Sequence, residues 1–391
     1  MLNKMRLLTP GPTPMPEEVR LAMARDMIHH RKPDFKAVMA RVQPRLRALF
    51  GTAQPVLPLS ASGSGAMAAA VANLFSPGER VIVAEAGKFG ERWVEIAEHR
   101  GLVVTRMSFP WGRSVDAAAV AEELTAGKAK GGYAGVLVQV SETSTGVLHP
   151  VRELAALTRG TDTLLVADGI SAVGVSPCPM DAWGIDCLVT GSQKGLMLPP
   201  GLAFAALSEK AWRKAGTVTP GCYYFDLKAE RDASDKHQTR FTSAVSLLVG
   251  LDVALELLLT PGLPALYRKQ WALTRMARAG IAALGLPLYA AEDFTWGLTS
   301  LALPQGVDGP KVLATAAKEH GVVMAGGQGH MKNGMVRMGH MGHVDFADLA
   351  AGLYALARAL RAQGAGGGSA DYLEQALAAY EQGLVEEPPL P

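Results

Sequence analysis

A chain of 391 residues is too long for one compact core, so two domains are expected. Hydrophobic residues make up 49% and charged residues 19%, an ordinary globular balance, and a net charge of +2 offers no field to hold nucleic acid or an anionic membrane. Cys178, Cys187 and Cys222 lack C-x-x-C spacing, the first six residues lack a signal-peptide apolar core, and no uncharged apolar run reaches the ~20 residues of a membrane span. A cytoplasmic protein with reduced thiols is expected.

The opening Leu7-Leu-Thr-Pro-Gly-Pro-Thr-Pro14 carries three prolines in five residues and reads as an extended arm, residues 1–15, lying on another surface. From residue 55 the pattern alternates. An apolar run at 56–59 precedes a glycine–serine turn and an alanine-rich helix through Leu74. Strands are predicted at 80–84 and 102–107, with helices at 89–100 and 115–124. Near-continuous apolar runs at 136–140 and 164–167 read as strands buried on both faces, and 187–190 and 203–207 follow with little room for helices. This alternation predicts an α/β large domain, residues 16–262, with a mostly parallel sheet between helices and a ligand site at the strands' carboxyl ends. A long amphipathic helix at 264–284 opens a smaller α+β domain, 263–362. It has further helices at 312–319 and 345–360 and a glycine- and histidine-rich stretch at 325–343. Residues 363–369 read as a flexible linker, after which Leu373, Leu377 and Tyr380 share one face of a short docked helix.

Several residues carry chemistry. Lys194, in Gly191-Ser-Gln-Lys194-Gly, follows the strand at 187–190. A lysine there is ordinarily solvated, but beside the apolar Leu196-Met-Leu-Pro-Pro200 it is placed to be desolvated and nucleophilic. Asp168 ends the run Leu164-Leu-Val-Ala, where an unpaired carboxylate is expensive. A helix cap or a metal would satisfy it, and so would a protonated pyridine nitrogen. Ser62-Gly-Ser-Gly65 follows a strand and opens a helix, so its backbone amides suit an anion such as a phosphate. Phe89 stands at another strand end, either as core or as a ring for stacking on a flat ligand. Arg337 lies in an apolar stretch and requires an anion, internal or bound. His330, His340 and His343 read as hydrogen-bonded turn residues rather than metal ligands, and His29-His30-Arg31 as a surface cluster.

Taken in order, the motifs resemble those of the class V, fold type I aminotransferases, in the alanine–glyoxylate/serine–pyruvate branch. The most specific are Glu142-Thr-Ser-Thr-Gly-Val147, Ala167-Asp-Gly-Ile-Ser-Ala172, Gly191-Ser-Gln-Lys-Gly195 and Arg337-Met-Gly-His-Met-Gly342. The resemblance extends from Leu8-Thr-Pro-Gly-Pro12 to about residue 360. It implies a seven-stranded large-domain sheet and pyridoxal 5'-phosphate held as a Schiff base on Lys194, with Gln193 beside it.

By the same resemblance Asp168 pairs the pyridine nitrogen, and Ile170 and Phe89 sandwich the ring. Ser144 lies near the ring hydroxyl and the substrate, and Gly63, Ser64 and Gly65 cradle the phosphate. Many relatives have Trp or Tyr at the Phe89 position and some have His at Ser64. Thr242 resembles a threonine that reaches the phosphate from a partner subunit, which implies a homodimer with its active site at the interface. Arg337 resembles the arginine that grips the substrate carboxylate, and Gly11 the backbone lining that pocket. The implied reaction is ping-pong transamination between a small amino acid, alanine or serine, and a 2-oxo acid, glyoxylate or pyruvate. Aspartate, ureidoglycine or phosphonate donors remain open. So does an accessory role such as that of a soluble-hydrogenase small subunit, although no cysteine motif for an Fe–S cluster or nickel is present. A cysteine desulfurase is disfavoured, because no cysteine follows Cys222.

Overall fold

The computed structural model describes residues 4–366 and 368–390. Met1–Asn3 of the expected arm, Gly367 of the expected linker and Pro391 lie outside the described residues.

Seven strands form the main sheet: β1 (Val56–Leu59), β2 (Arg80–Glu85), β3 (Val103–Ser108), β4 (Gly135–Gln139), β5 (Leu164–Asp168), β6 (Cys187–Gly191) and β7 (Ala203–Leu207). Their spatial order is β1-β7-β6-β5-β4-β2-β3. All neighbours are parallel except β7, which runs antiparallel to both β1 and β6. The short connection between β6 and β7 allows only that reversal, because a parallel return needs a crossover of a dozen or more residues. The central strands are buried throughout and one apolar core lies against each face, as expected for a parallel sheet covered by helices. A single order of strands therefore brings the residues that follow β1, β2, β4, β5 and β6 to one rim.

A second, three-stranded antiparallel sheet has the order β8-β10-β9: β8 (Leu298–Ala302), β9 (Ala325–Gly326) and β10 (Met335–Gly339). It packs with helices Leu263–Ala283, Gly309–His320 and Phe346–Arg361 around a separate core. Met335 and Met338 are fully buried there. The terminal helix Tyr372–Val385 docks along Leu263–Ala283, where Gly383 approaches so closely that a Cβ would sit 2.7 Å from Ala272 Cα. No single described helix is long and apolar enough to cross a membrane.

Two long helices are not among those expected from the sequence. Pro33–Phe50 contains Pro44, which argues against a helix interior, yet Phe35, Val38, Met39, Val42, Leu46 and Leu49 repeat at helical spacing and all are buried. Val245–Leu259 is apolar almost all round, so its period is muted; its one charged group on the inner face, Asp252, is paired by Arg41 at 2.6 Å and Arg45 at 2.5 Å from the first helix.

The N-terminal arm links the two sheet systems. Arg6–Leu7 pairs with Val322–Val323, and Gly339 of β10 donates to Leu8 O at 2.7 Å. Thr13 then donates its backbone N–H to Gln193 O and its hydroxyl to Lys194 O.

Candidate active site

A cavity of about 250 Å³ opens at the carboxyl rim of the main sheet. Gly63, Ser64, Phe89, Asp168, Ile170 and Lys194 line it, together with Gly11 and Gln193, eight of the residues foreseen from sequence. Clefts of about 1000 and 880 Å³ exist elsewhere. The larger lies by Arg80, Ala134 and Leu164, at the amino ends of the strands, where an α/β sheet does not present its ligand site.

Lys194 sits in the turn after β6 and is 9% exposed. Its Nζ donates to Pro10 O in the arm. Burial, reinforced by Arg337 and Arg92 and opposed by Asp168, lowers the amine to about 8. Gly11 has φ +134°, and a Cβ there would lie 2.6 Å from Lys194 Nζ, so both the backbone angle and the close approach require glycine.

Asp168 ends β5, opposite Val189 of β6 and Gln139 of β4. Its Oδ1 accepts from Ile170 N at 2.7 Å. Burial raises its carboxyl to about 7, with Glu142 adding to the rise and Ile170 N–H, Lys194 and Arg92 opposing it. Gly63 also tolerates no side chain, since a Cβ would stand 2.5 Å from Ile170 Cδ1. Gln193 Oε1 is buried with no hydrogen-bond partner among the described residues.

Arg337 lies in β10, 7% exposed. Its Nε donates to Gly326 O and its Nη1 to Thr143 O, both at 2.8 Å. Both acceptors are neutral, and no ion pair joins Arg337 to a carboxylate among the described residues. Burial holds its pKa below the usual guanidinium range, with Glu142 opposing. A buried guanidinium held by carbonyls is oriented but not neutralised, which is the condition of a site that waits for an anion.

Four expected positions are not in the cavity lining; one is Arg337, which reaches it only through its bond to Thr143 O. Ser144 does not line it: its hydroxyl donates to Glu142 Oε1 at 2.5 Å and accepts from Lys88 N at 3.0 Å. The neighbouring Thr143 lines it instead, with its hydroxyl 2.6 Å from that of Ser171. Gly65 is turned away by its place one residue further along the helix, and a Cβ there would point at Ala61. Thr242 lies beside His30 at 3.3 Å and faces a separate small pocket with Tyr224 and Phe241, away from this chain's own cavity.

The sequence reading also omitted two groups. Glu142 is fully buried and accepts from the backbone of Phe89, Gly90 and Ser144. Arg92 lines the cavity, donates to Ser64 Oγ at 3.0 Å and lies over the Phe89 ring at 4.9 Å. Helical spacing carried the signal for Arg92, which is three residues after Phe89 and so shares its face. His340, by contrast, is a core residue, hydrogen-bonded between Thr299 at 2.9 Å and Gln270.

The family model for aminotransferase class V matches residues 10–349. This chain belongs to the class V aminotransferases. The aminotransferase is 39% identical over 360 residues to the soluble hydrogenase small subunit of a Synechococcus species, covering 91% of this chain and 93% of that one. It is 32% identical to the L-aspartate–glyoxylate aminotransferase of Paracoccus denitrificans, over 90% of both chains. It also resembles the crystal structure of a subgroup IV aspartate aminotransferase from Thermus thermophilus, with a TM-score of 0.84, 35% identity, and coverage of 92% of this chain and 99% of the other. The fold is accordingly the fold type I arrangement that the motifs implied, and the protein is an aminotransferase enzyme.

Proposed function

We propose that this aminotransferase uses pyridoxal 5'-phosphate bound at Lys194 to transfer an amino group between a small amino acid, alanine or serine, and glyoxylate or pyruvate. The observation that carries the reading is the meeting of Lys194 and Asp168 in one small cavity, with Arg337, a buried cation with no carboxylate partner among the described residues, bonded to Thr143 of its lining. The cavity fits the cofactor on this chain's own terms. Asp168 is a buried carboxyl with a single side-chain hydrogen bond, Gly63 leaves room that a Cβ would fill, and Gln193 Oε1 awaits a donor.

When bound, the cofactor supplies a sink for the electrons left at the substrate Cα. Asp168 holds a proton on the pyridine nitrogen by pairing with it as a carboxylate. Lys194 Nζ, brought to about 8 by burial, is a competent base for the Cα proton near neutral pH. Arg337 grips the substrate carboxylate through the guanidinium edge that its two carbonyl contacts leave free. Phe89 and Ile170 would hold the ring, and Gly63 and Ser64, at a helix N-terminus, would hold the phosphate.

Aspartate as donor is a second reading, favoured by the named activities of the Paracoccus and Thermus relatives. The hydrogenase names of other relatives suggest an accessory role, but the complete constellation favours catalysis. A homodimer is part of the proposal. Tyr223 is 78% and Tyr224 47% exposed; Tyr224 stacks on Phe241 and Tyr223 meets it at a tilt beside Thr242, an aromatic surface suited to a partner chain.

The test is a half-reaction screen. The purified protein is loaded with pyridoxal 5'-phosphate, and the visible band of the lysine-bound cofactor is followed while alanine, serine and aspartate are added separately. Alanine or serine should bleach it at the lowest concentration. A Lys194→Ala protein that kept both the band and turnover would defeat the reading. Preference for aspartate would transfer it to the second donor.

A further inference from the structure

Arg92 has no part in the roles drawn from sequence, yet it is the cation nearest the expected phosphate end of the cavity. It lies on helix Lys88–His99, one turn after Phe89. No ion pair joins it to a carboxylate among the described residues, although neighbouring Lys88 and Arg106 both pair with Glu91. Its Nη1 donates to Ser64 Oγ at 3.0 Å, and its guanidinium carbon lies 4.9 Å from the centre of the Phe89 ring. Ser64 stands in the first turn of helix Gly63–Leu74, whose N-terminus has no side-chain cap.

These contacts have a directional consequence. Ser64 Oγ accepts a charged N–H from Arg92, so one of its lone pairs is engaged and its own hydrogen is free to donate. Ser64 lines the cavity, and a hydroxyl polarised by a guanidinium is a stronger donor than an isolated serine. The free backbone amides of the same helix turn point to the same place. Stacking on Arg92 also fixes the Phe89 ring from its outer side.

We propose that Arg92 is a positioning residue for the cofactor's phosphate: it turns the Ser64 hydroxyl toward that dianion, adds a positive charge behind it, and locks the stacking ring to the phosphate cradle. The inference rests on the pyridoxal-phosphate reading above. It differs from a role in recognising a second carboxylate on the substrate, which would use the same charge for a different anion.

The experiment compares pyridoxal 5'-phosphate with pyridoxal, which lacks the phosphate. Affinities are taken from the visible band in wild type, Arg92→Ala, Arg92→Lys, Ser64→Ala and the Arg92→Ala/Ser64→Ala double variant. Arg92→Ala should weaken pyridoxal 5'-phosphate about 10- to 100-fold, the scale of a lost charge-assisted contact, and leave pyridoxal within about twofold. Arg92→Lys should recover part of the loss, because it keeps the charge but not the planar stack. Losses in the double variant should fall short of the product of the single losses, since both act through one hydroxyl. Added inorganic phosphate should strengthen pyridoxal binding in wild type and not in Arg92→Ala. Equal weakening of both ligands would reduce Arg92 to packing on Phe89 and overturn the proposal. Unchanged cofactor affinity, with a defect confined to aspartate over alanine in the half-reaction, would overturn it in favour of the substrate carboxylate. If wild type forms no Lys194-dependent band at all, the cofactor reading fails and the role of Arg92 falls with it, whereas a normal wild-type band with either of the two preceding outcomes overturns the role of Arg92 alone.

Discussion

Two buried carboxyl groups meet at the rim of the main sheet, and they are built in opposite ways. Glu142, fully buried, accepts hydrogen bonds from Phe89 N, Gly90 N, Ser144 N and Ser144 Oγ. Asp168, 4% exposed, has one, from Ile170 N. Burial raises both pKa values, but at Glu142 four donors oppose the rise and at Asp168 the opposition is a single amide helped by the Lys194 and Arg92 charges. A saturated carboxyl fastens structure; an undersatisfied one facing a cavity keeps its capacity for a ligand. Glu142 ties the turn that carries Phe89 to the turn that carries Thr143, whose carbonyl in turn holds Arg337. One side chain thus sets two walls of the pocket, while Asp168, with one hydrogen bond, keeps acceptor capacity toward the cavity.

The contrast is broken most severely at the ligand end. Lys194→Ala should lower turnover at least about 10³-fold, within the range of a lost general base, with secondary structure retained in circular dichroism. Asp168→Asn should cost about 10²- to 10³-fold in turnover, as for other lost electrostatic partners. Its effect on the cofactor-free protein has the opposite sign. A carboxyl at about 7 in the fold and near 3.8 when unfolded leaves the native state holding an extra proton between those values, so wild type loses stability as pH rises from 4 to 7. The loss is on the order of 4 kcal/mol. The amide of the Asp168→Asn variant cannot titrate, so its melting temperature should gain on wild type across that window and stay ahead above pH 7. Parallel curves would show that Asp168 is already satisfied without a ligand.

How much of this was legible in the sequence follows from the kind of interaction involved. Lys194, Asp168 and Gly63 were readable because each stands at a strand or helix terminus marked by an apolar run and a glycine turn. The inner main-sheet strands were readable because burial on both faces writes a continuous apolar signature. The helix Val245–Leu259 was not, since an all-round apolar helix has no period to detect. Glu142 was quoted within a motif but given no role, because its function lies in backbone amides 52 and 53 residues earlier in the chain, which only the fold brings near. The place of Ser144 was not legible for the complementary reason: in Thr143-Ser144 either hydroxyl suits a polar pocket, and in the structure Glu142 holds the second while Thr143 lines the cavity.

The structural side of the contrast is tested by smaller effects. Glu142→Gln replaces one acceptor oxygen by an amide that faces N–H groups, and should cost about 1–3 kcal/mol of stability, read as a lower urea midpoint with an unchanged slope. Ser144→Ala is the mildest change and the most discriminating. If Ser144 only completes the Glu142 network, removing its hydroxyl leaves the carboxylate still held by three backbone amides and costs about 0.5–1.5 kcal/mol. Cofactor affinity should then stay within about twofold, because no atom of the cavity lining is lost. Thr143→Val, which removes the hydroxyl that does face the cavity while keeping the shape, should disturb the bound cofactor's spectrum more than Ser144→Ala does. The reverse order would return Ser144 to the ring and make Thr143 the residue that merely supports the turn.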